Sequence, residues 1–128
     1  MEKTKVLLAD SSVFIRILLA SGLGTLGYEV VAVAKNGREA LEMYARLKPD
    51  IALIDLNLDG AGGIEVIRAL LKDNPLAAVA LMMPENQDDP DVIVEAVRAG
   101  ARAYIKKPTS GAELKKRLAN LAGRSKEK

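Results

Sequence analysis

The sequence predicts an α/β domain: a doubly wound (βα)5 chain whose five-stranded parallel sheet is covered by helices on both faces. Three observations carry that prediction. Short apolar runs alternate with segments of helical period five times along the chain. The connections between them are short. The runs are continuously apolar rather than alternating, the pattern of strands buried on both sides. A length of 128 residues supports one core and one domain.

Each element has its own signal. Val6–Ala9 is an apolar run stopped by Asp10. Ser11 or Ser12 can cap a helix carrying Val13, Phe14, Ile17, Leu18 and Leu19, with Gly27 closing it. Val30–Ala34 is rich in β-branched residues and reads as the second strand. Asn36-Gly37 turns into a helix marked by Ala40, Leu41, Tyr44 and Leu47, which Lys48-Pro49 ends. Ile51–Ile54 is the third strand, again followed by an aspartate, Asp55. After the glycines at 60, 62 and 63, a stripe of Ile64, Ile67, Leu70 and Leu71 runs to Asn74-Pro75. Ala78–Met83 is the fourth strand. Asp89-Pro90 is a helix start, an acidic N-cap followed by proline at the first helical position. Gly100 ends that helix, and Ala103–Ile105 is a short fifth strand. Ser110 and Glu113 have capping-box spacing, ahead of Leu114, Leu118 and Leu121 on a last amphipathic helix. From Gly123 the chain reads as a polar tail.

Composition removes whole classes of chemistry. Hydrophobic residues make up 49%, which excludes wholesale disorder. With no cysteine there is no disulfide framework, thiol nucleophile or zinc finger. With no histidine there is no Ser-His-Asp triad and no histidine base. Chemistry must run on carboxylates, lysines, hydroxyls and backbone groups, and a bound metal must accept oxygen ligands. No apolar run approaches the ~20 residues of a membrane span. The run at Val6–Ala9 is too short for the core of a signal peptide, so the expectation is a cytoplasmic protein with no membrane association.

In open parallel sheets, ligands bind beyond the carboxyl ends of the strands. Strand one ends in Asp10-Ser11, strand three in Asp55, strand four in Met83 or Pro84, and strand five in Lys106-Lys107-Pro108. If strands one, three and five deliver their ends to one crevice, two acids and a lysine converge there. Such a pair of acids suits Mg²⁺, and the lysine suits a phosphoryl oxygen. A carboxylate can itself be the nucleophile toward phosphorus. Taken singly, an aspartate after a strand is more often a turn or cap residue.

At these residues the chain resembles the response-regulator receiver domains of two-component signalling, the CheY-like superfamily. The likeness runs from about Val6 to Leu121. Its motifs are Val6-Leu7-Leu8-Ala9-Asp10-Ser11-Ser12, the block Asp50–Leu58, Gly62-Gly63-Ile64-Glu65, and the block Ala99–Pro108. The resemblance implies the flavodoxin-like strand order 2-1-3-4-5, with residues 1–122 forming the receiver and 123–128 a basic tail or the start of a linker. It implies that Asp55 accepts a phosphoryl group from the phosphohistidine of a sensor kinase or phosphotransfer protein. It further implies that Lys107 contacts that group. Asp10, Asp55 and the Asn57 carbonyl would bind Mg²⁺, and Tyr104 would change rotamer on activation. The Lys107-Pro108 bond is commonly cis in the family. The implied activity is at most self-phosphorylation and autodephosphorylation. The implied product is a switched surface, on the last helix and adjoining strands, for a downstream protein effector. The expected state is a monomer or weak homodimer, and direct nucleic-acid binding is not expected.

Two departures stand out. Where the family places a second acid after strand one, this chain has Ser11, a neutral and weaker metal ligand that Asp59 or Glu85 would have to supplement. Where the family ends strand four with Thr or Ser, counting forward from Asp55 gives Met83 and counting back from Lys107 gives Glu85. Neither can donate as a hydroxyl does. These departures support an alternative, a phosphorylation-independent interaction module. A third reading, a flavin carrier with phosphate at Ser11-Ser12, is disfavoured by an aromatic content of 3%. The glycines at 60, 62 and 63 lack the Lys-Ser/Thr of a P-loop and read as a flexible loop. The net charge of +2 hides an asymmetry. Residues 106–128 carry eight Lys/Arg against two Glu, while the rest carries eleven against fifteen acids. A basic C-terminal segment is either a solvated face or a charged partner surface.

Overall fold

The computed structural model describes residues 2–87, 89–107 and 109–126, with side chains described up to Leu121. Its elements are β1 (Lys5–Ala9), α1 (Val13–Thr25), β2 (Glu29–Ala34), α2 (Gly37–Leu47), β3 (Ile51–Asp55), α3 (Gly63–Asp73), β4 (Ala78–Pro84), α4 (Pro90–Ala99), β5 (Ala103–Lys107) and α5 (Gly111–Lys126). The strands form one parallel sheet in the order β2-β1-β3-β4-β5. This is the flavodoxin-like (βα)5 arrangement. The order reverses between β1 and β3, so a crevice opens at their carboxyl ends.

Period-two alternation divides the sheet residues between two cores. Leu7, Ala9, Ala52, Ile54, Val79, Leu81 and Met83 pack with Ala40, Tyr44, Val66, Ile67, Leu70 and Ala96 from α2, α3 and α4. Val6, Leu8, Ile51, Leu53, Ala80, Met82 and Ile105 pack with Leu19, Leu23, Leu114, Leu118 and Leu121 from α1 and α5. The continuous apolar runs in the sequence are the trace of these two faces.

The helix ends follow local chemistry. Ser12, not Ser11, caps α1: its Oγ accepts the Ile15 N–H. At the other end Gly27 sits at φ +95°, with Gly27 N–H on the Gly24 carbonyl and Tyr28 N–H on the Leu23 carbonyl, a Schellman closure. Asn36 and Asp89 cap α2 and α4 through side-chain oxygens. Ser110 Oγ accepts the Glu113 N–H, while the Glu113 carboxylate bonds Arg117 Nε one turn on. The last helix runs to Lys126, past the Gly123 at which the sequence reading ends it. β5 extends to Lys107, two residues beyond the apolar Ala103–Ile105.

One helix is apolar on both sides. The inner face of α1 holds Leu19 and Leu23, and its outer face exposes Val13, Phe14, Ile17 and Leu18. Among the described residues no helix is long and apolar enough to cross a membrane.

Candidate functional site

The crevice at the reversal of strand order holds the two aspartates. Ala9 pairs with Ile54, so Asp10 and Asp55 leave neighbouring strands side by side. Both are buried, at 1% and 4% exposure. Pro84 pairs with Lys107, placing the lysine two residues further along β5 than Ile105, which stands in register with Met82 and Asp55. Lys107 reaches back across the end of β4. Its Nζ donates to Asp10 Oδ2 at 2.6 Å and to Asp55 Oδ1 at 2.8 Å. The structure therefore brings together Asp10, Asp55 and Lys107, from strands one, three and five.

Further bonds fix each member. Asp10 Oδ1 accepts the Ser12 N–H at 3.0 Å, and the Asp10 carbonyl accepts Arg16 Nη1 at 2.6 Å. The Asp10 N–H donates to the Ala34 carbonyl. Behind Asp55 the backbone of α3 comes unusually close. Gly63 N–H donates to the Leu56 carbonyl, and a Cβ on Gly63 would lie 2.2 Å from the Asp55 carbonyl oxygen. Only glycine fits there, which is the physical reason for a glycine eight residues after the acid. In the sequence Gly63 stands in the glycine-rich loop and in the Gly62-Gly63-Ile64-Glu65 motif, and neither shows this contact.

The electrostatics follow from burial. Burial pushes the Asp55 carboxyl above the usual carboxylate range, against the lowering influence of the Lys107 hydrogen bond and charge; the Asp10 charge adds to the rise. Burial alone would lower Lys107, but its hydrogen bonds and charge interactions with Asp10 and Asp55 outweigh it and hold the ammonium above its ordinary value.

The remaining predicted residues lie around this cluster. Asn57 is in the turn after β3, and its backbone N–H supports the Asp55 carboxylate. Ser11 is half-buried, and its Oγ accepts the Asp59 N–H at 2.9 Å, tying the β1–α1 loop to the β3–α3 loop. Asp59 also bridges to the start of α2, its carbonyl accepting the Gly37 N–H beside an isolated pairing with Asn36. Met83 is fully buried in the α2–α3–α4 core at the end of β4, and Glu85 lies exposed in the following turn. Strand β4 thus runs through Met83 to Pro84, and Glu85 stands just beyond it. Tyr104 packs at the margin of the same core as Met83, with the Arg117 guanidinium 4.9 Å from its ring centroid. Pro108, and with it the Lys107-Pro108 bond, lies outside the described residues.

Two buried carboxylates side by side, ahead of the turn at Asn57, have the hard oxygen chemistry that suits a divalent cation such as Mg²⁺. Asp10, Asp55 and the Asn57 carbonyl would hold it. Among the described residues no three His, Cys, Asp or Glu side chains gather as a metal-binding group.

The comparisons with known proteins agree with this fold. The family model for the response regulator receiver domain matches residues 6–119. The chain belongs to the response-regulator receiver family. It is 38% identical over 104 residues to a chemotaxis protein CheY of Thermotoga maritima, covering 81% of this chain and 85% of that one. It is 37% identical over 120 residues to protein-glutamate methylesterase/protein-glutamine glutaminase 5 of Myxococcus xanthus, covering 93% of this receiver but 34% of that protein. Among solved structures, a LuxR-family two-component response regulator from Aurantimonas superposes with a TM-score of 0.87 at 31% identity, over 96% of this chain and 88% of that one. Receivers of this family act in two-component signalling and generally bind Mg²⁺.

Proposed function

We propose that this receiver accepts a phosphoryl group on Asp55 from the phosphohistidine of a sensor kinase or phosphotransfer protein, and so switches a protein-interaction surface. The observation that carries the reading is the single ammonium of Lys107 bonded to both Asp10 and Asp55 at buried strand ends. An ion pair of this kind, at the crevice of a parallel sheet, is positioned for phosphate chemistry.

In the transfer, an Asp55 carboxylate oxygen attacks phosphorus. An acyl-phosphate O–P bond forms, the P–N bond to the donor imidazole breaks, and the electron pair leaves with that nitrogen. Such reactions depend on positioning and on neutralising charge. Lys107 stays as a point charge beside the incoming phosphoryl oxygens. Asp10 orients Lys107 and is itself held by the Ser12 N–H. Mg²⁺ at Asp10, Asp55 and the Asn57 carbonyl would neutralise charge on the phosphoryl oxygens. The histidine belongs to the partner, consistent with a chain that has none.

The product carries roughly two negative charges where the carboxylate carried one. Lys107 must then divide its bonds differently, and it is the last residue of β5, three residues from Tyr104. The surface formed by α4, β5 and α5 is therefore the proposed output, lined by Ile93, Val97, Tyr104 and Arg117 around a cavity of about 450 Å³. A protein donor approaching Asp55 would lie over the exposed apolar face of α1. Incubation with acetyl phosphate and Mg²⁺, followed by intact mass, tests the reading. One phosphoryl group on wild type and none on Asp55→Ala is the expected result. No uptake, with partner binding unchanged by Asp55→Ala, would favour an interaction module that works without phosphate.

A further inference from the structure

Two positions near Asp55 differ from the pattern that the resemblance implies. The end of β4 has no hydroxyl, because Met83 fills the core there. A methionine thioether cannot donate a hydrogen bond. The position after Asp10 carries a hydroxyl, Ser11, where the resemblance implies an acid. That hydroxyl is not the helix cap, a role Ser12 fills. Its oxygen is fixed by the Asp59 N–H at 2.9 Å, between the two loops that flank Asp55. Asp10, the preceding residue, shares one ammonium with Asp55.

Because Ser11 Oγ accepts from Asp59, its own proton is left to donate. An acid at the same place could only accept when ionised. It would also repel an incoming phosphoryl group.

We propose that Ser11 supplies the hydroxyl donor to the phosphoryl group on Asp55 that the end of β4 lacks. The inference rests on the reading of Asp55 as phosphoacceptor. The hydrogen bond then comes from the β1–α1 loop and not from β4. The donor also sits on a loop that Asp59 ties to α2 through Gly37 N–H, so phosphorylation would be felt on the β2–α2 side of the molecule.

The test is the affinity for beryllofluoride, a phosphoryl mimic, measured by calorimetry at saturating Mg²⁺. Ser11→Ala should weaken it roughly tenfold, the size of a lost hydrogen bond to a charged group. Ser11→Thr, which keeps the hydroxyl, should stay within about twofold of wild type. Mg²⁺ affinity measured separately should be unchanged in Ser11→Ala, because the hydroxyl serves the anion and not the metal. A urea midpoint for each variant reports the loss of the Asp59 contact on its own. Equal mimic affinity in Ser11→Ala and wild type would overturn the inference, as would a parallel loss of Mg²⁺ affinity that makes Ser11 a metal ligand. Failure of wild type itself to bind the mimic would instead overturn the reading of Asp55, and this inference with it.

Discussion

Lys107 Nζ lies 2.8 Å from Asp55 Oδ1 although β4 separates their strands. The lysine spans that gap because it stands two residues further along the sheet than Ile105, which is in line with Met82 and Asp55. The same ammonium holds Asp10, so two buried carboxylates depend on one counter-charge.

Replacing that charge by an apolar stem of similar length is the direct perturbation. Lys107→Met leaves both acids buried and unpaired, and should cost about 3 kcal/mol at pH 7. Like-charged buried carboxylates take up a proton at raised pH, so the deficit should shrink on acidification. Urea unfolding of the variant and wild type between pH 7 and pH 5 checks both parts.

Asp55 itself carries a stability cost with a defined sign. Its carboxyl is raised by burial, so the native state binds its proton at higher pH than the unfolded chain does. The ionised group therefore opposes folding above that raised value, and the penalty disappears as pH falls below the unfolded carboxylate range. Asp55→Asn should be more stable than wild type at pH 7, and the difference should close toward pH 4. Thermal unfolding of the pair across that window is the measurement.

Gly63 has no room for a side chain. A methyl there would meet the Asp55 carbonyl oxygen and the Leu56 Cα at 2.2 and 2.8 Å, both backbone atoms. Gly63→Ala should destabilise by about 2–3 kcal/mol. It should also slow phosphorylation, because the Asp55–Leu56 segment must shift. Denaturant midpoints and small-donor phosphorylation rates test the two effects.

Met83→Thr places a hydroxyl at the end of β4 at the expense of core volume. The lost packing should cost about 2 kcal/mol. Combined with Ser11→Ala, it should restore part of the lost affinity for the phosphoryl mimic. An unchanged double variant would show that the β4 end cannot reach Asp55 in this chain.

Much of this was legible in the sequence, because strand ends in a buried parallel sheet are marked by abrupt polarity. Asp10, Asp55 and Lys107 each terminate an apolar run, and the fold brings those ends together. What was not legible depends on contacts between distant residues. Ser11 and Ser12 are equivalent caps by sequence. Only the Asp59 N–H, 48 residues away, separates their roles. The close approach of Gly63 to Asp55 is a property of helix placement. The position of Met83 needed the register of β3 against β4, since the loop after β4 makes counting from either end disagree. The Arg117 contact with Tyr104 joins β5 to α5 and has no sequence signature, whereas its pair with Glu113 lies within α5 at i, i+4 spacing.

The central claim is that Asp55 is the phosphoacceptor, and intact mass after treatment with acetyl phosphate and Mg²⁺ tests it most directly. One added phosphoryl group is expected on wild type, lost on later hydrolysis, and none on Asp55→Asn. Equal uptake by wild type and Asp55→Asn, or none by wild type under conditions in which it is folded, would contradict it.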